Sequence, residues 1–336
     1  MDQKVRDVRA SDQVFLATRR GNAVAQHGPS LLVANWQTDG FFQVIDSSGR
    51  LARNVGKKGQ GPEEFGFVRD LVVSGDGTVW VWDSGNQRLA QLDSELRTIG
   101  TYALPFRAQN MQGWAMKPMQ RSVLLLGCWG GPTNCGAHSW SPDGLDWSFP
   151  VPDHDLGGGR YVAAAEAPDR TIWIIDAHSY RIWHLDASGR VLREGRVRQP
   201  WLDDWVESFP PKGGSGVDEM EVTGRLAIWS PRARVQDISP HEDRLVVLGI
   251  TGDPSWTEVE SEGFYDVGRY FDAVLNVVDV GGFDLVESIQ FDVPRGMPTK
   301  FLSGSEILVA ESGPVYDGLS VWTFLDLIGR PDANGR

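Results

Sequence analysis

The chain has 336 residues, 41% of them hydrophobic and 10% aromatic, with a formal net charge of -13 and a pI near 4.9. That apolar and aromatic content excludes a disordered chain and is enough for a large core. The acidity argues against nucleic-acid binding and against an anionic-membrane surface, and no apolar run reaches the roughly 18 residues of a membrane helix, so no membrane insertion is expected.

The first residues, Met1 to Asp7, lack the apolar core of a signal peptide. The chain is therefore either cytoplasmic or a mature form whose leader has been removed. Short runs rich in Val, Ile, Trp, Phe and Leu then recur along the sequence. They include Leu31–Ala34, Phe41–Ile45, Thr78–Trp82, Thr171–Ile175, Arg244–Leu248 and Ser320–Phe324. Turn chemistry separates them, as at Ser47-Ser48-Gly49, Gly75-Asp76-Gly77 and Ala187-Ser188-Gly189. No long stretch carries apolar residues at helical spacing, so the expected class is all-β.

An internal repeat organises these runs. Residues 76–93 (DGTVWVWDSGNQRLAQLD) align without a gap on residues 169–186 (DRTIWIIDAHSYRIWHLD). The Asp that ends a third strand recurs at Asp46, Asp93, Asp186, Asp279 and Asp326, in steps of 47, 93, 93 and 47 residues. Trp140-Ser141-Pro142 stands in the slot between Asp93 and Asp186. A unit of about 46 or 47 residues lies in the range of a propeller blade, and each reads as a four-stranded antiparallel sheet. The expected fold is a single six-bladed β-propeller domain, with blades at about 22–58, 65–105, 106–152, 159–198, 233–293 and 297–327. Residues 199–232 form an insertion, and seven blades are the alternative, because Ile228-Trp229-Ser230-Pro231 echoes Trp140-Ser141-Pro142. The last blade lacks an outer strand. The N-terminal stretch at about 4–18, through Gln13-Val14-Phe15-Leu16-Ala17, is expected to supply it and close the ring.

Gly56-Lys57-Lys58-Gly59-Gln60-Gly61-Pro62-Glu63-Glu64-Phe65 resembles the G-x-x-G-x-G-P-G-E-F linker of bacterial six-bladed propellers related to NHL repeats, with Glu63 in place of a glycine. The blade that follows keeps Asp83, Asn86 and Arg88 at the NHL positions. Blade 4 keeps Asp176 and Arg181 but has Ser179 at the Asn position. The resemblance speaks for fold. Relatives include ligand-binding scaffolds as well as lyases and hydrolases, so it leaves the chemistry open.

No H-x-x-x-H, H-E-x-x-H or Cys/His metal spacing and no G-x-S-x-G elbow is present, and no cofactor is expected. Scattered histidines such as His27 and His178 could still meet at the axis, an arrangement similar to the amidating-lyase propellers with their central zinc, so an axial metal ion stays open. The inner strand of each blade lines the channel. On that geometry Phe67, Arg69 and Asp70, Gln112 and Trp114, Arg160 and Tyr161, Arg234 and Gln236, and Lys300 are placed near it. The expected ligand-binding set is Arg69, Trp114, Arg160, Tyr161, Arg234 and Lys300, a cationic funnel with aromatic walls suited to an anionic or carboxylate-bearing small molecule or peptide. The plainer alternative pairs each cation with an Asp of a neighbouring blade. For an enzyme, a lyase or hydrolase, His178 and Tyr161 are the catalytic candidates. Trp80, Trp82, Trp173, Trp183 and Trp322 are expected to pack between blades. Cys128 and Cys135 could close a hairpin disulfide, which would indicate a periplasmic or extracellular protein, or stand as free thiols in a cytoplasmic one. A monomer is expected.

Overall fold

The computed structural model describes residues 3–9, 23–34, 41–104, 115–128, 135–151, 162–176, 179–197, 234–252, 271–291, 296–303, 306–312 and 317–324. All regular structure among them is extended. After β1 (Gln3–Arg9), the first full sheet is β2 (Val24–His27), β3 (Ser30–Ala34), β4 (Phe42–Ile45) and β5 (Leu51–Val55). A short parallel pair, β6 (Lys57–Lys58) and β7 (Glu64–Phe65), folds the glycine-rich linker. The second sheet is β8 (Val68–Val73), β9 (Val79–Asp83), β10 (Arg88–Leu92) and β11 (Thr98–Ala103), and the third is β12 (Ala115–Pro118), β13 (Val123–Cys128), β14 (Cys135–Ser141) and β15 (Gly144–Pro150). The fourth is β16 (Val162–Glu166), β17 (Ile172–Asp176), β18 (Arg181–Leu185) and β19 (Val191–Arg196). The fifth is β20 (Arg234–His241), β21 (Arg244–Gly252), β22 (Phe271–Asp279) and β23 (Leu285–Phe291). The sixth joins β24 (Gly296–Ser303), β25 (Glu306–Ser312) and β26 (Asp317–Phe324) to β1. Among the described residues, the first five four-stranded sheets are antiparallel meanders from inner to outer strand, and in the sixth β1 pairs antiparallel with the last strand of the β24–β26 meander.

The apolar runs have a direct cause in this stacking. A second strand such as β9, Val-Trp-Val-Trp-Asp, is buried at every position because neighbouring sheets cover both its faces. An outer strand such as β11 alternates half-buried and exposed residues. Inner strands touch in succession, β2 with β8, β8 with β12, β12 with β16, β16 with β20, β20 with β24, and β24 with β2. Apolar cores fill the seams. Trp80, Trp82 and Leu89 of the second sheet pack on Met116, Leu125 and Trp140 of the third. Leu302 and Leu308 of the sixth pack on Val24, Leu31, Val33 and Ile45 of the first. Trp80, Trp82, Trp173 and Trp183 are buried in such seams, and Trp173 also stacks on His184 at 4.0 Å. The Trp322 position lies in β26, and its side chain is outside the described residues.

The strand that pairs with β26 is β1, running antiparallel from Gln3↔Phe324 to Arg9↔Gly318. The segment expected for that place, Gln13 to Ala17, lies outside the described residues. The physical reason is exposure. An outermost strand faces solvent along its edge, and Gln-Lys-Val-Arg-Asp-Val-Arg suits that place better than an apolar run.

The recurring aspartates cap the turns between third and fourth strands. The Asp46 carboxylate accepts the Ser48 and Arg50 amides at 2.8 and 3.0 Å, and Asp186 accepts those of Ser188 and Arg190 at 2.9 and 3.0 Å. Gly49 and Gly189 follow with φ of 82° and 81°, where a side chain would be strained. Hydrogen bonds from the Ser188 hydroxyl and the Arg190 amide pull the Asp186 carboxyl down to about 2. In the third sheet, where no Asp ends β14, Asp146 of β15 accepts the Ser139 and Ser141 hydroxyls instead.

The NHL-like residues lock the linker. Buried Asp83 accepts the amides of Gly66 and Phe67 at 3.0 and 3.2 Å, and it also accepts from Asn86 Nδ2 at 2.7 Å and Arg88 Nε at 3.2 Å. Asn86 and Arg88 then donate to the carbonyls of Gly59 and Gly61 at 2.9 and 3.0 Å. Asp83→Ala leaves Arg88 and two linker amides without their acceptor, so urea denaturation should show a loss of about 3–5 kcal/mol.

Cys128 and Cys135 are direct register partners across β13 and β14. Facing positions of an antiparallel pair lie about 4.5–5.5 Å apart at Cα, within the reach of a disulfide. Incubation with oxidised glutathione should therefore join Cys128 to Cys135, seen as a single linked peptide in a non-reducing digest. Two separately alkylated thiols after that treatment would contradict it.

Candidate functional site

The inner strands bring four charged side chains to the axis. β8 carries Asp70 and β20 carries Asp237, each placed just after a register shift, between Val68 and Asp70 and between Val235 and Asp237. Such a bulge re-aims the residue that follows it. Each aspartate accepts the amide of the next residue in its own strand, Leu71 or Ile238, at 2.8 Å. Each also accepts an amide from the inner strand of the following sheet, Met116 at 2.6 Å and Phe301 at 2.9 Å. Two lysines complete the group across the axis. Lys300 Nζ of β24 lies 3.4 Å from Asp70 Oδ1, and Lys117 Nζ of β12 lies 2.5 Å from Asp237 Oδ2.

The arrangement repeats three sheets on. Asp70 in the second sheet matches Asp237 in the fifth, and Lys117 in the third matches Lys300 in the sixth. Both pairs are sunk in the protein, with side-chain exposures of 15% and 2% for Lys300 and Asp70 and 13% and 0% for Lys117 and Asp237. Burial pushes the Asp70 carboxyl above the usual carboxylate range, against the pull of Lys300 and of the Met116 and Leu71 amides. Burial lowers Lys300, with Lys117 pressing the same way and Asp70 and Asp237 opposing.

Beside the lysines lies a cavity of about 70 Å³, walled by Lys117, Lys300, Gln26 and the lower half of β8. It has room for a few waters or one small anionic head group. It lies toward the ends of the inner strands, not their starts.

Of the residues the sequence singles out, Lys300 lines this cavity. Arg69 is the bulged residue beside Asp70 and is half-buried. Arg234 opens β20, and its side chain is outside the described residues. Trp114, Arg160, Tyr161 and His178 lie outside the described residues altogether. Among the described residues, Lys300 is thus joined by Asp70, Lys117 and Asp237, and its positive charge is met by a carboxylate across the axis. Lys117 and Asp237 were not singled out. A signal existed for the aspartates, since Val68-Arg69-Asp70-Leu71 and Val235-Gln236-Asp237-Ile238 share one pattern. No comparable pattern marks Lys117.

Among the described residues, no histidine belongs to the axis group. His138 is buried in β14 with Nδ1 2.9 Å from the Ser148 hydroxyl and Nε2 3.2 Å from the Gly127 carbonyl, and burial lowers its pKa. Among the described residues no group of three or more His, Cys, Asp or Glu is arranged to hold a metal ion.

No family model and no curated protein matches the chain. Solved structures do. A member of the DUF4221 family from Bacteroides vulgatus superposes with a TM-score of 0.67 at 14% identity, covering 96% of each chain. A protein of Bacteroides fragilis gives 0.56 at 8% identity, over 98% of this chain and 96% of its own. Catalytically inactive virginiamycin B lyase from Staphylococcus aureus, solved with quinupristin, gives 0.50 at 11% identity, over 96% of this chain and all of its own. At these identities the likeness is one of fold. The chain is a β-propeller of four-stranded antiparallel blades.

A double-mutant cycle measures the axis pairing. Asp237→Ala should destabilise by about 3–5 kcal/mol, because it strands a buried lysine and the Phe301 amide. Combined with Lys117→Met it should lose less than the sum of the single losses, with a coupling of about 2 kcal/mol in chemical denaturation.

Proposed function

We propose that the six sheets are the blades of one ring closed by β1, related to NHL-type propellers, and that the protein is a binding module for a small anionic or carboxylate-bearing molecule at its central channel. The seam between the sixth and first sheets and the β1–β26 ladder support the ring. The Asp83–Asn86–Arg88 lock on the linker supports the NHL relation. The observation that carries the binding reading is the pair of lysines, Lys117 and Lys300, lining one axial cavity. Ammonium groups in a desolvated pocket make strong bonds to a carboxylate. The cavity admits a head group only, so the rest of a larger ligand extends along the channel, where Arg69, Trp114, Arg160, Tyr161 and Arg234 remain the proposed contacts. No cofactor is needed for this role, and the protein is proposed to act as a monomer.

One observation favours a second reading, a lyase or hydrolase. Asp70 and Lys300 face each other in the channel, and burial displaces both toward their neutral forms, as in a proton-transfer pair. Under that reading the bound molecule is a substrate, and quinupristin, the compound solved with the virginiamycin B lyase of similar fold, is a first candidate to assay.

Calorimetric titration with a panel of mono- and dicarboxylates separates these outcomes from no binding at all. A bound carboxylate should lose about tenfold to a hundredfold in affinity in Lys300→Met and in Lys117→Met, the worth of one charged hydrogen bond. Undiminished affinity in both variants would overturn the channel assignment.

A further inference from the structure

We propose that the anion site between Lys117 and Lys300 is proton-coupled: a small monoanion enters the axial cavity together with one proton, and Asp70 carries that proton. The inference rests on the channel-binding reading and adds to it the ionic form of the ligand and the condition for its capture.

Charge balance is the first argument. Lys117, Lys300, Asp70 and Asp237 sum to zero, and all four side chains are largely withdrawn from water. A monoanion added to that group alone leaves one uncompensated negative charge in a desolvated site, at a penalty of several kcal/mol. One proton taken from solvent restores neutrality.

Geometry selects the carrier. Asp237 is held tightly: Oδ1 accepts Ile238, while Oδ2 accepts Phe301 at 2.9 Å and Lys117 at 2.5 Å. Asp70 meets its lysine at 3.4 Å, well beyond the 2.7–2.9 Å or so of a close charge-assisted bond. Its two backbone donors, Leu71 to Oδ1 and Met116 to Oδ2, hold the carboxyl in place whether or not it is ionised. When Lys300 turns to the anion, Oδ1 is the atom left facing the vacated position, and the proton resides there. The tendency of Asp70 toward its neutral form runs the same way.

The surroundings offer no competing carrier among the described residues. β24 and β12 present Lys300 and Lys117 to Asp70, and β20 presents Asp237 across the axis. On β9, Asp83 is turned to the linker amides. On β2, the charged neighbours of His27 are Arg53 and Glu95, away from the axis. On β8 itself, Arg69 occupies the bulge.

The sign follows from linkage. Binding raises the Asp70 pKa further, because Lys300 is drawn away. Affinity is therefore greatest below the pKa of Asp70 in the free protein, and it falls as pH rises from there to the pKa in the bound form. The test is calorimetry of acetate and formate binding to the full chain, in cationic buffers of different ionisation enthalpy, from about pH 5 to about pH 8. The expected result is uptake of close to one proton per anion and about a tenfold loss of affinity per pH unit wherever the pH lies between the free and bound pKa values of Asp70. Asp70→Asn, which resembles the protonated acid, should bind without proton uptake and with a flat pH profile. Wild-type binding with no proton uptake at any pH would overturn the coupling while leaving the channel reading intact. Failure of folded wild type and folded Asp70→Asn to bind either anion anywhere in that range would overturn both.

Discussion

The structure depends on how the inner strands satisfy their inward edge. Each blade pairs its strands from inside to outside, so the innermost strand has a free ladder edge facing the axis, and its buried amides need acceptors. In two places a carboxylate answers this need. Asp70 takes the amide of Leu71 in its own strand and that of Met116 in the next sheet, and Asp237 does the same for Ile238 and Phe301. The same groups therefore finish one sheet and stitch it to its neighbour. Two buried carboxylates then require two cations, and Lys117 and Lys300 supply them from across the axis.

Around that centre, apolar packing and surface turns divide the remaining work. The seams are built from second and third strands buried on both faces, with tryptophans filling the wedge that opens between sheets. The rim is tied by individual hydrogen bonds between neighbours. Trp147 of the third sheet donates to the Ala187 carbonyl in a turn of the fourth, and Arg193 of the fourth donates to the Val280 carbonyl of the fifth while lying over Phe283. Neighbouring sheets are thus joined by carboxylates at the axis, by apolar seams between them and by single hydrogen bonds at the rim.

What the sequence made legible follows the range of the interactions. Val79-Trp80-Val81-Trp82 announces a strand covered on both faces, and Asp46, Asp93 and Asp186 mark turns through bonds to residues two and four places on. These signals are local and repeat with the blade. The outermost strand is less legible, because its signature is the polar alternation of Gln-Lys-Val-Arg-Asp-Val-Arg, and the apolar run nearby carries the commoner strand signal. The axis group was the least legible part. Lys117 and Asp237 are 120 residues apart and Lys300 and Asp70 are 230 apart, so nothing local couples them. Their partnership comes from how the sheets are placed against one another, and only the shared Val-x-Asp-Leu/Ile pattern hints at half of it.

The charge of the molecule takes on a different meaning once the axis is known. A net charge of -13 describes the whole chain, whereas the axis group carries two positive and two negative charges in close pairs. The net charge of the whole opposes an arriving anion, and among the described residues the two axis lysines are already met by Asp70 and Asp237. On the binding role proposed above, capture would work by exchange, with a ligand oxygen taking the place of a protein carboxylate on a lysine. Exchange selects by geometry and protonation more than by total charge, because a ligand that brings extra negative charge gains nothing at the lysine that it does not lose to the aspartates. Under that proposal the site would trade raw affinity for discrimination among small acids.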